Sequence, residues 1–141
     1  ADSVKKADAS PGKMRDSELI ARLKDIVENY KTLYVMGCFG APLTGKNVDY
    51  YCSNHTYNKQ AERTKMIQAA ANQTPPVYGF DCVCLIKGIL WGWTGDASKT
   101  HGGATYLSNG VPDIGADLMI TKCLGVSTHF ESKTDLKSLL I

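Results

Sequence analysis

The chain lacks any apolar run long enough to cross a membrane; the best candidate, after Cys82, is interrupted by Lys87. It lacks an apolar segment near its start, where "ADSVKKADASPGK" is polar, so nothing there reads as a signal peptide. It lacks an excess of one charge. Sixteen Lys and Arg against fourteen Asp and Glu leave a formal +2, too mild for the dense basic face that nucleic acid requires. Internal repeats and low-complexity segments are absent. Cysteine is too sparse for a disulfide scaffold, at five in 141 residues, and an odd number leaves at least one thiol unpaired within the chain. With 43% hydrophobic and 21% charged residues, the rest is an ordinary globular composition of a length that suits one domain with one core.

Residues 1–13 read as a flexible leader or linker, and residues 14–141 as the domain proper. Leu19, Ile20, Leu23, Ile26, Val27 and Tyr30 recur at helical spacing, which predicts a helix over 17–31 capped by Asp16 or Ser17. "TLYVMGCFGAP" is a short extended stretch ending in glycines. The polar, tyrosine-rich "LTGKNVDYYCSNHTYN" reads as a surface loop. Good helix formers predict a helix over 59–71, which Pro75 and Pro76 exclude from continuing. A buried apolar helix is expected over 82–91. After a second long loop, a helix over 113–123 follows, with Asp113 as its cap and Gly125 as its stop.

Several motifs invite a function and are weak. "GAPLTGKN" nearly matches a phosphate-binding loop, but Asn47 lacks the hydroxyl that holds magnesium and a polar loop is expected to follow. Cys82, Cys84, Cys123, His101 and His129 lack the paired spacing of a zinc site. Trp91 and Trp93 suit a core or core edge better than a sugar platform. No metal and no cofactor is expected.

"FDCVC" is the strongest signal. A cysteine at the first turn of a helix has its thiolate favoured by the positive end of the helix dipole, and Lys87, one turn on, adds positive potential. Asp81 opposes this, unless its carboxylate serves another task such as binding a cationic substrate group. On a helix Cys84 points about 200° away from Cys82, so one faces a cleft and the other the core. Free cysteine is among the most buried residue types, so packing is the competing reading for each.

"YGFDCVCLIKGILWGW" resembles the nucleophile segment of the NlpC-type cell-wall cysteine peptidases, whose pattern is roughly [FY]-D-C-[SV]-G-L-[IV]. "LYVMGCFG" resembles their upstream P-Y-x-x-G-G turn, and "NGVPDIGADLMITKCLGVSTHF" is similar to the phage and prophage endolysin branch. The resemblance spans about residues 17–130. It implies that Cys82 is the nucleophile and that Asp81 binds the free amine or diamino acid of a stem peptide. It also implies that Tyr34 assists the oxyanion or substrate and that Gly37 is the first glycine of the turn. Cys84 stands where the family has glycine, Cys38 replaces the turn's second glycine, and Met36 replaces its tryptophan.

In that family the general base is a histidine in a downstream G-H-[VIA]-G-[VI]-Y strand. His55, His101 and His129 lie in no such motif, and none is found before Ile141. The expected fold class is therefore α+β, papain-like, here mostly the helical half with little or no sheet. The expected function is cysteine endopeptidase cleavage of peptidoglycan stem peptides at a D-glutamyl–diamino acid bond, endolysin-like and acting at the bacterial cell wall. The isolated chain is expected to be inactive without its histidine half. The alternative is a non-catalytic module that binds cell-wall peptides or a partner chain. Leu139, Leu140 and Ile141 suggest self-association or a complementary C-terminal half as partner; neither nucleic acid nor a membrane span is expected. If the helix register is right, brief iodoacetamide labelling and peptide mapping will find Cys82 modified before Cys84 and Cys123, whereas Cys84 labelling first would overturn it.

Overall fold

The computed structural model describes residues 14–122, which form a small α+β domain. The expected leader at 1–13, Cys123, His129 and the apolar residues 139–141 lie outside the described residues. The first helix, α1 (Asp16–Asn29), matches its periodicity, although its N-cap is Arg15 with no side-chain capping bond. Strand β1 (Lys31–Tyr34) follows directly, and a turn leads into β2 (Phe39–Pro42). Two helices come next, α2 (Lys46–Asn54) and α3 (Ala61–Ala70), then strand β3 (Val77–Phe80) and helix α4 (Cys82–Leu90). A single 3-10 turn at Ser108–Gly110 precedes α5 (Ala116–Lys122).

The expectation of little or no sheet is corrected. Three strands form a mixed sheet in the order β1-β3-β2. Strand β3 pairs parallel with β1, Leu33 opposite Gly79, and antiparallel with β2, Phe39 opposite Phe80, across an irregular register. The helical-half reading fails with this, because it required these residues to carry no multi-stranded sheet. β3 follows the prolines of "NQTPPVYG", which mark a break, and runs one residue beyond it to Phe80. All four of its residues are buried as the central strand, which hides the polar–apolar alternation of a half-exposed one.

The sheet divides the core. Val77 faces a cluster with Val35, Leu43, Tyr51 and Ile67, covered by α2 and α3. Tyr78 and Phe80 face the other way, with Ile26, Ile89, Trp91 and Trp93. The expectation of a surface loop at 43–58 is also corrected, since α2 occupies its middle. Val48 and Tyr51, three residues apart, are its buried stripe, and so narrow a stripe in a polar segment escapes a composition-based reading.

Trp91 and Trp93 are buried, their indole N–H groups donating to the carbonyls of Val111 at 2.9 Å and Gly40 at 2.8 Å. Each bond avoids the ~1–3 kcal/mol of an unpaired buried donor. α4 approaches β2 closely at Gly88, where a Cβ would come within 2.9 Å of the Phe39 carbonyl oxygen.

Asp113 does not cap the last helix, which starts at Ala116. Instead it pairs at 2.5 Å with Lys87, whose side chain is 5% exposed, and accepts from the Tyr106 hydroxyl at 2.9 Å. Burial opposes the Lys87 charge, but the Asp113 bond and the negative potential of Cys84 and Asp81 raise its pKa above the ordinary value. The Lys87 bond holds the Asp113 carboxyl below the usual carboxylate range, with Tyr106 adding to it against burial.

The raised lysine contributes stability below about pH 10.4, lost as pH rises through its folded pKa. The depressed carboxylate contributes above about pH 3.9, lost as pH falls through its own. Asp113→Ala should cost about 1–3 kcal/mol in urea unfolding near pH 7, below the figure for a fully buried pair because Asp113 is partly exposed. The loss should shrink at either pH extreme, and a loss independent of pH would contradict this account.

Candidate functional site

The site is built where β3 runs into α4. Asp81 is the N-cap of α4, and its Oδ1 accepts from the Cys84 N–H at 2.7 Å. Its Oδ2 accepts from the Gly37 N–H at 2.9 Å, and its own N–H donates to the Cys38 carbonyl at 3.0 Å. Gly37 has φ of +78°, and a Cβ there would meet the His55 ring at 2.4 Å, so the turn requires glycine on both counts. The carboxylate expected to meet a substrate amine therefore clasps the turn against the helix start. Both oxygens keep further lone pairs.

Cys82 is the first residue of α4 and is exposed, while Cys84 is 6% exposed, the opposed pair that helical geometry requires. Burial, then the Asp81 carboxylate, push the Cys84 thiol well up. Burial pushes Cys38 up to about 11. Cys52, half-buried, is raised by burial and by Asp49. Among the described thiols, Cys82 alone is exposed.

Tyr34, at the end of β1, lines the same hollow as Cys82. Burial, then the negative potential of Cys82 and Asp81, raise its pKa. A hydroxyl there can donate to a thiolate.

Sequence reasoning missed the residue that holds Tyr34. Arg63 of α3 donates through Nη2 to the Tyr34 carbonyl, and its guanidinium lies 5.9 Å from the Tyr34 ring centroid and 5.3 Å from that of Tyr57. The two tyrosine rings meet edge to face at 5.6 Å. These contacts join distant segments, and Arg63 reads locally as one more good helix former.

Two hollows flank Asp81. The smaller, about 300 Å³, contains Cys82 and Tyr34 and is walled by α1, β1 and α4. The larger, about 770 Å³, contains His55, His101, Tyr51, Cys84 and Lys87. Lys87 therefore stands with Cys84, not with Cys82 as the sequence suggested. His101 stacks on Phe39 at 4.4 Å, burial lowers its pKa, and its buried Nδ1 has no hydrogen-bond partner among the described residues. Neither His55 nor His101 lines the Cys82 hollow.

The remaining motifs resolve into packing. A helix does follow "GAPLTGKN", contrary to expectation, but Gly40–Pro42 are strand, so only Leu43–Gly45 separate β2 from α2 and no phosphate cradle forms. Among the described residues no three His, Cys, Asp or Glu side chains gather as a metal site, and no helix is long and apolar enough to cross a membrane.

Comparison with protein-family models, with curated proteins and with solved structures gave no match.

Removing the Tyr34 hydroxyl, as Tyr34→Phe, should slow iodoacetamide labelling of Cys82 near pH 7.5 by roughly three- to tenfold, the scale of a half-exposed charge-assisted hydrogen bond. Arg63→Leu should slow labelling in the native background and add nothing to Tyr34→Phe, if it acts by holding that ring. A full additional loss in the double variant would show that it acts otherwise.

Proposed function

We propose that this protein is a cysteine-nucleophile peptidase of the NlpC type acting on peptidoglycan stem peptides, with Cys82 as the attacking group. One observation carries the reading: an exposed cysteine begins an apolar helix directly after a buried strand, with Tyr34 lining the same hollow. The resemblance of "FDC" and of the upstream turn to that family supplies the substrate class.

In this mechanism a base takes the Cys82 proton as the sulfur attacks the carbonyl carbon of a D-glutamyl–diamino acid amide. The Cys82 N–H and the Tyr34 hydroxyl stabilise the oxyanion. Collapse breaks the C–N bond, the amine leaves with a proton from the base, and water then hydrolyses the thioester. Asp81, with spare lone pairs beside the sulfur, holds the substrate's ammonium group, and Gly37 keeps that carboxylate in place. Since His55 and His101 line the other hollow, the base comes from outside residues 14–122. The same observation favours the second reading, a module that binds stem peptides or a partner chain without cleaving them.

A base is typically worth 10²–10⁴-fold; if residues 123–141 supply none, the 141-residue chain should cleave soluble stem peptides slowly, and added imidazole should accelerate it. Cys82→Ser should remove both the basal and the rescued cleavage, read as new amine termini by mass spectrometry. Binding without cleavage, with or without imidazole, would favour the module. Rapid cleavage abolished by His55→Ala, His101→Ala or His129→Ala would show that the chain supplies its own base.

A further inference from the structure

The hollow beside Cys82 has a composition that constrains what can sit there. Its walls are Ile26 and Val27 of α1, Leu33 of β1, Phe80 at the end of β3, and Leu85 of α4. Its polar groups are Thr32, Tyr34 and Cys82, and the only ionisable carboxylate on it is Asp81, which is negative when charged. Among the described residues, no lysine, arginine or histidine lines it. A carboxylate entering this space would lose water against five aliphatic or aromatic walls. It would find no cation and would lie near a second carboxylate. An uncharged group of the same size would lose little water and cover apolar surface.

We infer that the substrate group seated in the Cys82 hollow carries no negative charge. On the cell-wall reading, on which this rests for its substrate, the stem peptide is then taken with its glutamyl carboxyl amidated rather than as the free acid. The larger hollow, which holds Lys46, His55 and His101, is the one equipped to meet an anion. The apolar walls and Asp81 of the smaller hollow therefore select against a substrate carboxylate there.

The test uses two alkylating probes of nearly equal size, iodoacetamide and iodoacetate, on the full chain, with N-acetylcysteine amide as reference thiol. The expected result is a preference of Cys82 for iodoacetamide at least roughly tenfold beyond that of the reference, at low salt. Val27→Lys places an ammonium at the rim of the hollow, on a helix position that is 79% exposed, and should narrow the preference. Thr32→Lys does the same from β1 and serves if the first variant does not fold. A ratio equal to that of the reference thiol, or a preference for iodoacetate, overturns the inference.

Stem peptides then compete with the label. Amidated peptide should protect Cys82, and protection by the free acid alone overturns the substrate assignment. If the preference for iodoacetamide holds while neither peptide protects, the pocket inference stands and the cell-wall reading falls.

Discussion

The Asp81 carboxylate is the constraint on which the rest of the site depends. It accepts from the N–H groups of Gly37 and Cys84, while its own N–H donates to Cys38. One side chain therefore fixes the turn between β1 and β2, the end of the central strand and the start of α4. Charge-assisted bonds are worth about 1.5–3 kcal/mol each, and burying a carboxylate costs several kcal/mol. The two largely cancel, so the clasp contributes geometry more than net stability. It acts beside the backbone bonds from Asp81 N–H to the Cys38 carbonyl and from Val35 N–H to the Phe80 carbonyl, which tie the same turn to the end of β3.

The local parts of this arrangement were legible in the sequence. An acid followed by C-x-C at the head of an apolar run gives a capped helix with one thiol out and one in, and α1, α3 and α4 followed from spacing and composition. What was not legible is what depends on pairing at a distance. β3 is four residues behind two prolines and buried on both faces, so nothing in its own composition marks it as a strand. α2 buries only Val48 and Tyr51, and its tyrosines read as a surface. Lys87 was placed one helical turn from Cys82, but five residues on lies about 140° round the helix, and there it meets Asp113, from a segment 26 residues away. The Arg63 contact with Tyr34 likewise joins segments 29 residues apart.

These long-range contacts change the electrostatic picture at the sulfur. The cation expected to favour a thiolate at Cys82 is committed to Asp113, and the two described histidines lie across Asp81 in the larger hollow. What remains beside Cys82 is the start of a helix, with its positive dipole end, and the Tyr34 hydroxyl, itself held by Arg63. Such a site is equipped for attack and for stabilising charge, but not for moving protons. On the proposed reading Cys82 is a nucleophile set at a helix start, with no histidine beside it among the described residues.

The central claim is that Cys82 is that nucleophile, and acylation without turnover tests it most directly. A stem peptide carrying an activated ester at the scissile position needs no proton delivered to its leaving group, so the result does not depend on where the base comes from. After incubation of the full chain with this ester, the account predicts one acyl adduct per chain, labile to hydroxylamine as a thioester and mapping to Cys82. An adduct on Cys52, or none under conditions where iodoacetamide labels Cys82 freely, would contradict it.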